Sequence, residues 1–205
     1  MISLYAHSLS KRYGNNLVFS GLSFKSEAPV IGIAGENGSG KSTLLKCLAG
    51  LVKPTSGSVT WKINEQKWNR EEFKKKLGYL APYVQLYEEL TVLENLEFIM
   101  KLRNKTDTEN LEELLISLDA SSFAHSQFGS LSTGQQQRAK LAAALVHRPQ
   151  ILMLDEPGSN LDQKGKKSVE NIVERYRSRD TMIFIASNLK HELDLCDQVI
   201  ALNKI

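Results

Sequence analysis

The chain has 205 residues, of which 41% are hydrophobic and 24% are charged. This composition is typical of a globular protein, and it excludes collagen-like, low-complexity and largely disordered chains. The formal net charge of +3 falls short of the clustered positive charge of a dedicated nucleic-acid-binding domain, so we expect no nucleic acid partner.

The chain carries no sign of a membrane span or an exported form. No apolar run approaches the roughly 18–20 residues that cross a bilayer, and residues 1–9 do not resemble a signal peptide. We therefore expect a cytoplasmic protein. The two cysteines, Cys47 and Cys196, are far apart in sequence and flanked by apolar residues, which predicts buried, reduced thiols rather than a disulfide.

The first part of the chain predicts strands followed by a strand, loop and helix unit. Two segments rich in apolar residues flank a polar turn at residues 14–16 and predict two strands. The continuous apolar run at 30–34 predicts a buried parallel strand, and the helical stretch that follows ends at Gly50. The predicted elements are strands at residues 1–9, 19–25 and 30–34, a helix at 41–48, a strand at 57–63, a short basic helix at 70–77 and a strand at 78–81.

From residue 90 to residue 147 the apolar residues recur with the helical period. Thr91 and Thr108 are the expected N-caps, because a threonine side chain accepts a hydrogen bond from a free amide of the first turn. Another helix is expected after Ser132, ending before Pro149. We therefore predict an all-helical insert. The apolar face of its first helix consists of Leu93, Leu96, Phe98 and Ile99.

The last part of the chain returns to alternating strands and helices. Short, continuous apolar runs predict buried parallel strands, and a polar segment with helical periodicity separates the first two of them. The pattern indicates an α/β fold that the helical segment interrupts. The predicted elements are strands at residues 151–154, 181–186 and 199–202 and a helix at 166–178.

A phosphate-binding loop follows the strand that ends at Ala34. The sequence there matches G-x-x-x-x-G-K-[ST], and a plain glycine-rich turn would not explain a lysine followed by two hydroxyl residues. Glycines let backbone amides turn toward phosphates, Lys41 reaches the β and γ phosphates of ATP, and the Ser42 hydroxyl is a ligand for Mg²⁺. The predicted phosphate-site residues are Gly35, Asn37, Gly38, Ser39, Gly40, Lys41, Ser42 and Thr43.

A carboxylate pair, Asp155 and Glu156, comes directly after the apolar run at 151–154. Ligands of open α/β sheets collect at the carboxyl ends of the strands, so both side chains are expected beside the phosphate loop. We predict that Asp155 holds the Mg²⁺ shell and that Glu156 polarises the attacking water. A solvated pair of loop residues is the alternative.

One further segment indicates a family. Residues 131–135 read LSTGQ, which resembles the LSGGQ signature of ABC ATPases, and residues 159–162 match the D-loop of that family. The resemblance spans essentially the whole chain. It implies a P-loop NTPase (RecA-like) core with an N-terminal antiparallel β subdomain, about 1–84 and 149–205, and an inserted α-helical subdomain, about 85–148, in one domain.

The resemblance also implies roles for residues outside the phosphate loop. In the family, two chains close head to tail over two ATP molecules, and hydrolysis reopens them. The second chain is a further copy or a homologous ATPase. The resemblance places Tyr13 against adenine, Ser132, Gly134 and Gln135 on the γ phosphate held by the partner's loop, and Asp162 in the D-loop at the nucleotide site.

Two positions depart from the family pattern. Pro82 stands where a glutamine usually contacts Mg²⁺, which leaves Gln85, three residues later, as the candidate metal ligand. Asn188 stands where the family usually carries a histidine that hydrogen-bonds the γ phosphate. Asparagine donates a hydrogen bond but cannot become cationic, so we predict slow ATP turnover.

Two functions are consistent with these residues. The first is the ATP-hydrolysing subunit of an ABC transporter, attached at the cytoplasmic face to a separate transmembrane permease subunit. In its compact size, the chain resembles small export-type subunits such as the haem exporter subunit of cytochrome c maturation. The alternative is an ATP-gated regulatory or binding module with little hydrolysis. The resemblance disfavours ribosome- or DNA-acting ABC proteins, which usually carry two units or a long coiled coil, and a kinase would not use LSTGQ.

Overall fold

The structure, a computed structural model, describes residues 1–104 and 111–203. It confirms the predicted α/β fold. Within this part of the chain, no helix is long and apolar enough to cross a membrane. The elements are β1 (Ile2–Tyr13), β2 (Asn16–Ser26), β3 (Val30–Ala34), α1 (Lys41–Leu48), β4 (Ser56–Ile63), β5 (Gln66–Lys67), α2 (Arg70–Lys76), β6 (Leu77–Leu80), α3 (Val92–Leu102), α4 (Leu111–Ser117), α5 (Thr133–Leu145), β7 (Ile151–Asp155), α6 (Gln163–Arg177), β8 (Met182–Ser187), α7 (Lys190–Leu193) and β9 (Gln198–Ala201).

A five-stranded sheet in the order β6-β7-β8-β3-β9 forms the centre of the molecule. All of its strand pairs are parallel. Strands β7 and β8 are buried along their whole length, as expected for parallel strands that are covered on both faces. The register places Asp155 opposite Ala186 and Ala34 opposite Ser187, so the carboxyl ends of β3, β7 and β8 lie side by side.

The N-terminal strands form a second, antiparallel sheet in the order β2-β1-β4-β5. Strands β1 and β2 are longer than the sequence predicts, because irregularities in their pairing, one of them at Ser8 with φ 46°, break the alternation of apolar residues. Leu4, Leu9 and Phe19 of this sheet join the same buried cluster as Leu44 of α1. The antiparallel sheet therefore packs against the helix that follows the phosphate loop.

The segment between β6 and β7 is largely helical. A capping box between Thr91 and Glu94 begins α3, as predicted, whereas Thr108 lies outside the described residues. The prediction of an all-helical insert is wrong in one respect, because Thr91 and Gln127 form a β-bridge. The bridge arises because the loops before α3 and before α5 run side by side, and the Val92 amide donates a hydrogen bond to the Ser126 carbonyl oxygen while the Phe128 amide donates one to the Leu90 carbonyl oxygen.

The two cysteines are free thiols, as predicted. Cys47 is buried, but Cys196 is only partly buried, because it lies in the turn after α7 rather than within a strand. Burial raises the pKa of the Cys47 thiol, and it raises the pKa of Cys196 to about 11. Both thiols are therefore protonated at neutral pH and are weak nucleophiles.

Candidate nucleotide-binding site

The phosphate loop connects β3 to α1 and lies tightly against neighbouring chain. A Cβ atom on Gly35 would lie 2.4 Å from Ser39 Oγ and 2.6 Å from the carbonyl oxygen of Leu202, so only glycine fits there. Gly40 has φ +97° and lies against Val18 of β2. The Ser39 hydroxyl is buried and has no hydrogen-bond partner in the part of the chain described. This cradle, with an unused hydroxyl inside it, fits a phosphate group.

Lys41 is the first residue of α1, and its side chain is held inside the loop. The residue is 5% exposed, and its Nζ donates hydrogen bonds to the carbonyl oxygens of Gly35 (2.8 Å) and Glu36 (3.0 Å). No side chain caps the start of α1, where Gly40 is the N-cap residue. The free amides of this helix terminus and the Lys41 ammonium make the loop an anion-binding site.

Ser42 and Asp155 meet at the carboxyl end of β7. The Ser42 hydroxyl donates a 2.9 Å hydrogen bond to Asp155 Oδ1, whereas the buried Asp155 Oδ2 has no partner among the described residues. Burial raises the pKa of Asp155, and the charge of Glu156 adds to this effect, against the opposing hydrogen bond from Ser42. A buried carboxylate with a free oxygen beside a hydroxyl is a ligand set suited to a hard divalent cation.

Glu156 lies at the same edge of the sheet in an unusual backbone conformation. Its φ is 51°, and its amide donates a 2.9 Å hydrogen bond to the carbonyl oxygen of Ala186. A left-handed conformation costs a non-glycine residue about 1–2 kcal/mol, so the surrounding structure must hold it. The side chain is partly exposed, which leaves the carboxylate accessible to water.

Asn188 comes just after β8, and the fold brings it to the phosphate loop. Its Nδ2 atom donates a 3.2 Å hydrogen bond to Asn37 Oδ1, although the two residues are 151 positions apart. Both side chains are exposed. The structure therefore places Asn188 beside Asn37 of the phosphate loop.

Tyr13 lies at the end of β1, where it pairs with Asn16 across the hairpin. Its side chain is among the exposed large hydrophobic groups at 50%, and Lys11 Nζ lies 4.5 Å from the ring centroid. The neighbouring strand β2 contacts the phosphate loop through Val18 and Gly40. An exposed aromatic ring on this hairpin offers a flat surface to a nucleotide base.

Gln85 is exposed and lines a groove beside α3 together with Tyr87. Within the described residues it makes no hydrogen bond to Ser42 or Asp155. The structure therefore does not bring Gln85 to the carboxylate that we predict to bind the metal.

The LSTGQ segment begins α5. Ser132 Oγ accepts a hydrogen bond from the Gln135 amide, and Gln135 Oε1 accepts one from the Ser132 amide at 3.0 Å, which is a capping box. Ser132 is exposed, and a Cβ atom on Gly134 would lie 3.3 Å from the Asn160 carbonyl oxygen. Within the described residues, these side chains make no hydrogen bond to the phosphate loop of the same chain. They lie at the surface of the protein instead.

Asp162 caps the next helix and contacts the helix of the LSTGQ segment. Its Oδ1 accepts hydrogen bonds from the Gly165 amide at 2.8 Å and from Arg138 of α5 at 3.0 Å. Arg138 also donates a 2.6 Å hydrogen bond to Asp119. This arrangement ties the start of α6 to α5, and the Gly165 amide lowers the pKa of the Asp162 carboxyl.

A protein-family model described as ABC transporter matches residues 20–159, which include the phosphate loop, the LSTGQ segment and the carboxylate pair. The chain belongs to the ABC transporter family. Proteins of this family that carry these motifs are its ATP-binding, ATP-hydrolysing components. The family resemblance predicted from the motifs is therefore confirmed.

Individual relatives agree with this assignment. The chain is 34% identical over 204 residues to the uncharacterized ABC transporter ATP-binding protein YdbJ of Bacillus subtilis, covering 98% of this chain and 66% of that protein. It is 34% identical over 187 residues to the cytochrome c biogenesis ATP-binding export protein CcmA of Pseudomonas aeruginosa, covering 90% of this chain and 92% of that one. The ATP-binding cassette MJ0796, solved as a dimer in a post-hydrolysis state bound to ADP and Pi, superposes with a TM-score of 0.83 at 25% identity, covering 97% and 94% of the two chains.

Two residues of this ABC domain that the sequence did not single out hold the turn after Glu156. Glu192 Oε1 accepts a 2.9 Å hydrogen bond from the Gly158 amide, and the buried Gln137 donates a 3.1 Å hydrogen bond to the Pro157 carbonyl oxygen. Both residues are buried, at 3% and 5% exposure. They join α7 and α5 to the turn that carries Glu156, so we infer that they position this carboxylate.

Proposed function

We propose that this chain binds and hydrolyses MgATP, pairs with a second ABC ATPase and powers transport through a separate membrane protein. The observation that carries the proposal is the hydrogen bond from Ser42 to Asp155. It unites the phosphate loop with a buried carboxylate whose second oxygen is free. A loop of purely structural use would have no need of an unsatisfied buried carboxylate at this place.

Ser42 and Asp155 are the residues that we propose to hold Mg²⁺. The ion would supply positive charge that neutralises the phosphate oxygens as negative charge develops on them. Gln85 would join this shell only after the loop at residues 82–87 rearranges. Tyr13 would stack on adenine through the exposed face of its ring.

The remaining groups of the site do the work of positioning and proton transfer. Lys41 exchanges its carbonyl partners at Gly35 and Glu36 for oxygens of the β and γ phosphates. Glu156 accepts a proton from water as the water oxygen bonds to the γ phosphorus, and the bond to the bridging oxygen breaks with its electron pair leaving on ADP. Asn188 donates a hydrogen bond to the γ phosphate from its place beside Asn37.

The second ATPase would complete the site from the opposite side. Ser132 is exposed at the start of α5, whose free amides form an anion-binding terminus, and Gly134 lets another chain approach closely. The capping box leaves the Gln135 side chain at the same surface. We propose that these groups clasp the γ phosphate on the phosphate loop of a second copy or of a homologous ATPase, with Asp162 at the same interface.

The membrane partner would dock on a groove of about 580 Å³ between the helical segment and β6. Leu51, Tyr87 and Phe98 line it and are 52%, 55% and 37% exposed, respectively. The rings of Tyr87 and Phe98 lie edge to face with centroids 5.3 Å apart. An exposed apolar surface of this kind suits an amphipathic segment of a transmembrane subunit. Docking there would hold the chain peripherally at the cytoplasmic face, with residues about 85–148 acting as a subdomain of one unit.

ATP hydrolysis by the purified chain, measured over a series of protein concentrations, tests this function. Glu156→Gln is the blank, and size-exclusion chromatography with ATP is run in parallel. We expect turnover above the blank that rises more than linearly with protein concentration, because two chains form the site. Absence of turnover together with intact ATP-driven dimerisation would contradict the ATPase and indicate an ATP-gated module.

A further inference from the structure

A second cavity, of about 510 Å³, lies between the C-terminal end of α1, strands β4 and β5, and helix α2. None of the residues that line it belongs to the nucleotide site. Cys47 and Leu48 close its inner side, so it adjoins the helix that begins at the phosphate loop, at the opposite end. Its volume is within the range of about 300–1,000 Å³ that is usual for small-molecule sites.

The wall of this cavity is aromatic. The ring centroids of Trp61 and Phe73 lie 5.0 Å apart, and those of Trp68 and Phe73 lie 6.4 Å apart. Trp61 and Phe73 are buried, and Trp68 is half-buried. The indole Nε1 of Trp61 already donates a 3.0 Å hydrogen bond to the Leu48 carbonyl oxygen, so a ligand meets only its apolar surface. Such a wall favours the apolar body of an organic molecule.

The rim of the cavity carries positive charge. Lys53, Lys67 and Arg70 line it, and no carboxylate is among its lining residues. Within the described part of the chain, these three side chains take part in no ion pair. Arg70 donates one hydrogen bond, of 3.2 Å, to the Gly50 carbonyl oxygen, and its other guanidinium donors remain for a ligand. The rim therefore complements an anionic group.

The carboxylates that follow Arg70 on α2 do not line the cavity. Glu72 follows on α2, but its Oε2 atom accepts a 3.1 Å hydrogen bond from the Asn69 amide in the capping box that begins the helix. Glu71 is exposed and does not line the cavity. The three cations at the rim of this apolar cavity therefore favour the binding of an anion.

The geometry points to a binding site for a single amphiphilic organic anion. Its aromatic body lies against Trp61, Trp68 and Phe73, and its carboxylate or sulfonate lies at Lys67 and Arg70. Neutral and cationic molecules with the same body bind more weakly, because they lose the ion pairs and leave the rim charges unneutralised. The site is separate from the nucleotide site and does not depend on ATP hydrolysis.

Titration with 4-phenylbutyrate, 4-phenylbutyramide and 4-phenylbutylamine tests the site, since the three probes share one body and differ in charge. The chain contains two tryptophans, and both line this cavity, so intrinsic fluorescence reports binding directly. We expect a saturable change with the carboxylate and an affinity roughly tenfold lower for the amide, equivalent to about 1.4 kcal/mol. Equal affinities for the three probes, or no saturable signal with the carboxylate, would overturn the proposal.

Variants locate the bound molecule. The double substitution Lys67→Glu with Arg70→Glu should weaken carboxylate binding by roughly tenfold or more. Lys75→Glu with Lys76→Glu is the matched control, because both residues are exposed on α2 outside the cavity and the change in charge is identical. Trp68→Ala should weaken all three probes, and Lys41→Ala should weaken none. An equal loss in the control variant, or loss of binding in Lys41→Ala, would contradict this location.

Discussion

The hydroxyl oxygens of Tyr79 and Tyr83 lie 2.5 Å apart, and their hydrogen bond connects the surroundings of Asp155, the carboxylate that we propose to bind Mg²⁺, to the groove beside the helical segment. Tyr79 lines that groove. Burial and, after it, the charge of Asp155 raise the pKa of Tyr83, and Lys46 Nζ lies 3.8 Å from the Tyr83 ring centroid. The pair lies next to Pro82, the position that ABC ATPases usually fill with glutamine. We infer that the tyrosine pair fixes this loop.

A double-mutant cycle with Tyr79→Phe and Tyr83→Phe should reveal this coupling. Each single change leaves one hydroxyl without its partner, whereas the double variant removes both. We expect each single variant to lose about 1 kcal/mol of unfolding free energy, with the double variant losing less than the sum. Urea denaturation of the four proteins measures the interaction. Tyr13→Phe, at an exposed ring, serves as the control, and strict additivity would rule out the coupling.

Asp155→Asn should stabilise the nucleotide-free protein while it abolishes ATP hydrolysis. Burial raises the pKa of Asp155, so the native state binds the proton more tightly than the unfolded state does. The stability of the wild type therefore falls as the pH rises from the aspartate pKa of the unfolded chain to the raised pKa of the native state, and the penalty of the buried charge is present above that range. Removing the charge should add about 0.5–2 kcal/mol there, the common range for stabilising substitutions.

The pH dependence of the stability that Asp155→Asn gains shows whether the buried charge is the cause of the gain. Urea denaturation without divalent cations should show the advantage of Asp155→Asn shrinking as the pH falls toward about 4, near the ordinary aspartate pKa. Asp119→Asn should behave oppositely, because hydrogen bonds from Lys164 and Arg138 lower the pKa of that exposed carboxyl. A gain at Asp155 that does not vary with pH would show that the buried charge is not its cause.

The sequence predicted most of the central sheet because of how that sheet is buried, but the prediction of a buried last strand is wrong, since β9 lies at the edge of the sheet and Val199 is 48% exposed. Strands β3, β7 and β8 are covered on both faces, so each appears as an unbroken apolar run. The polar ends of β1 and β2, which include the exposed Arg12, could not be recognised in the same way. Strand β5, with two exposed residues, has no apolar pattern at all.

The residues of the site differ in the same way, because local sequence reveals some of them and only the packing of distant segments reveals the others. Lys41, Ser42 and Asp155 lie in short motifs whose local sequence specifies a loop before a helix or the end of a strand. The bond between Glu192 and Gly158 joins residues 34 positions apart, and no local pattern marks Glu192 as buried. Such a contact results from the packing of α7 beside the turn after β7, which sequence periodicity does not encode.

Asn95→Leu should destabilise the helical segment. Asn95 is 1% exposed, its Oδ1 accepts a 2.8 Å hydrogen bond from the Tyr87 amide, and its Nδ2 donates to the carbonyl oxygens of Tyr87 and Thr91 at 3.0 and 2.9 Å. Leucine of similar size would leave the Tyr87 amide unpaired, at a cost of roughly 1–3 kcal/mol, whereas the carbonyl oxygens of Tyr87 and Thr91 keep hydrogen bonds from the Leu90 and Asn95 amides. Urea denaturation measures the change, and Lys101→Leu, at an exposed position of α3, should stay within about 0.5 kcal/mol of the wild type. Wild-type stability in Asn95→Leu would refute the argument.

Asn188→His should raise the rate of ATP hydrolysis. Asn188 already lies beside the phosphate loop, where its Nδ2 donates a 3.2 Å hydrogen bond to Asn37. A histidine there keeps a donor and adds the capacity for positive charge, which opposes the negative charge of the transition state more strongly than it affects bound ATP. By analogy with the loss of a single oxyanion donor, which costs about 10²–10³-fold in rate, we expect kcat to increase by roughly tenfold or more.

Separate measurement of kcat and KM for Asn188→His distinguishes stabilisation of the transition state from tighter binding of ATP. A group that acts in the transition state changes kcat and leaves KM nearly constant, whereas tighter binding of ATP lowers KM alone. Leu189→His is the matched control, because it places an imidazole one residue away on an exposed side chain. His191→Ala should have no effect, since His191 is exposed on α7. If Asn188→His hydrolyses ATP no faster than the wild type, Asn188 does not limit turnover, and the rate is set elsewhere in the closing and reopening of the dimer.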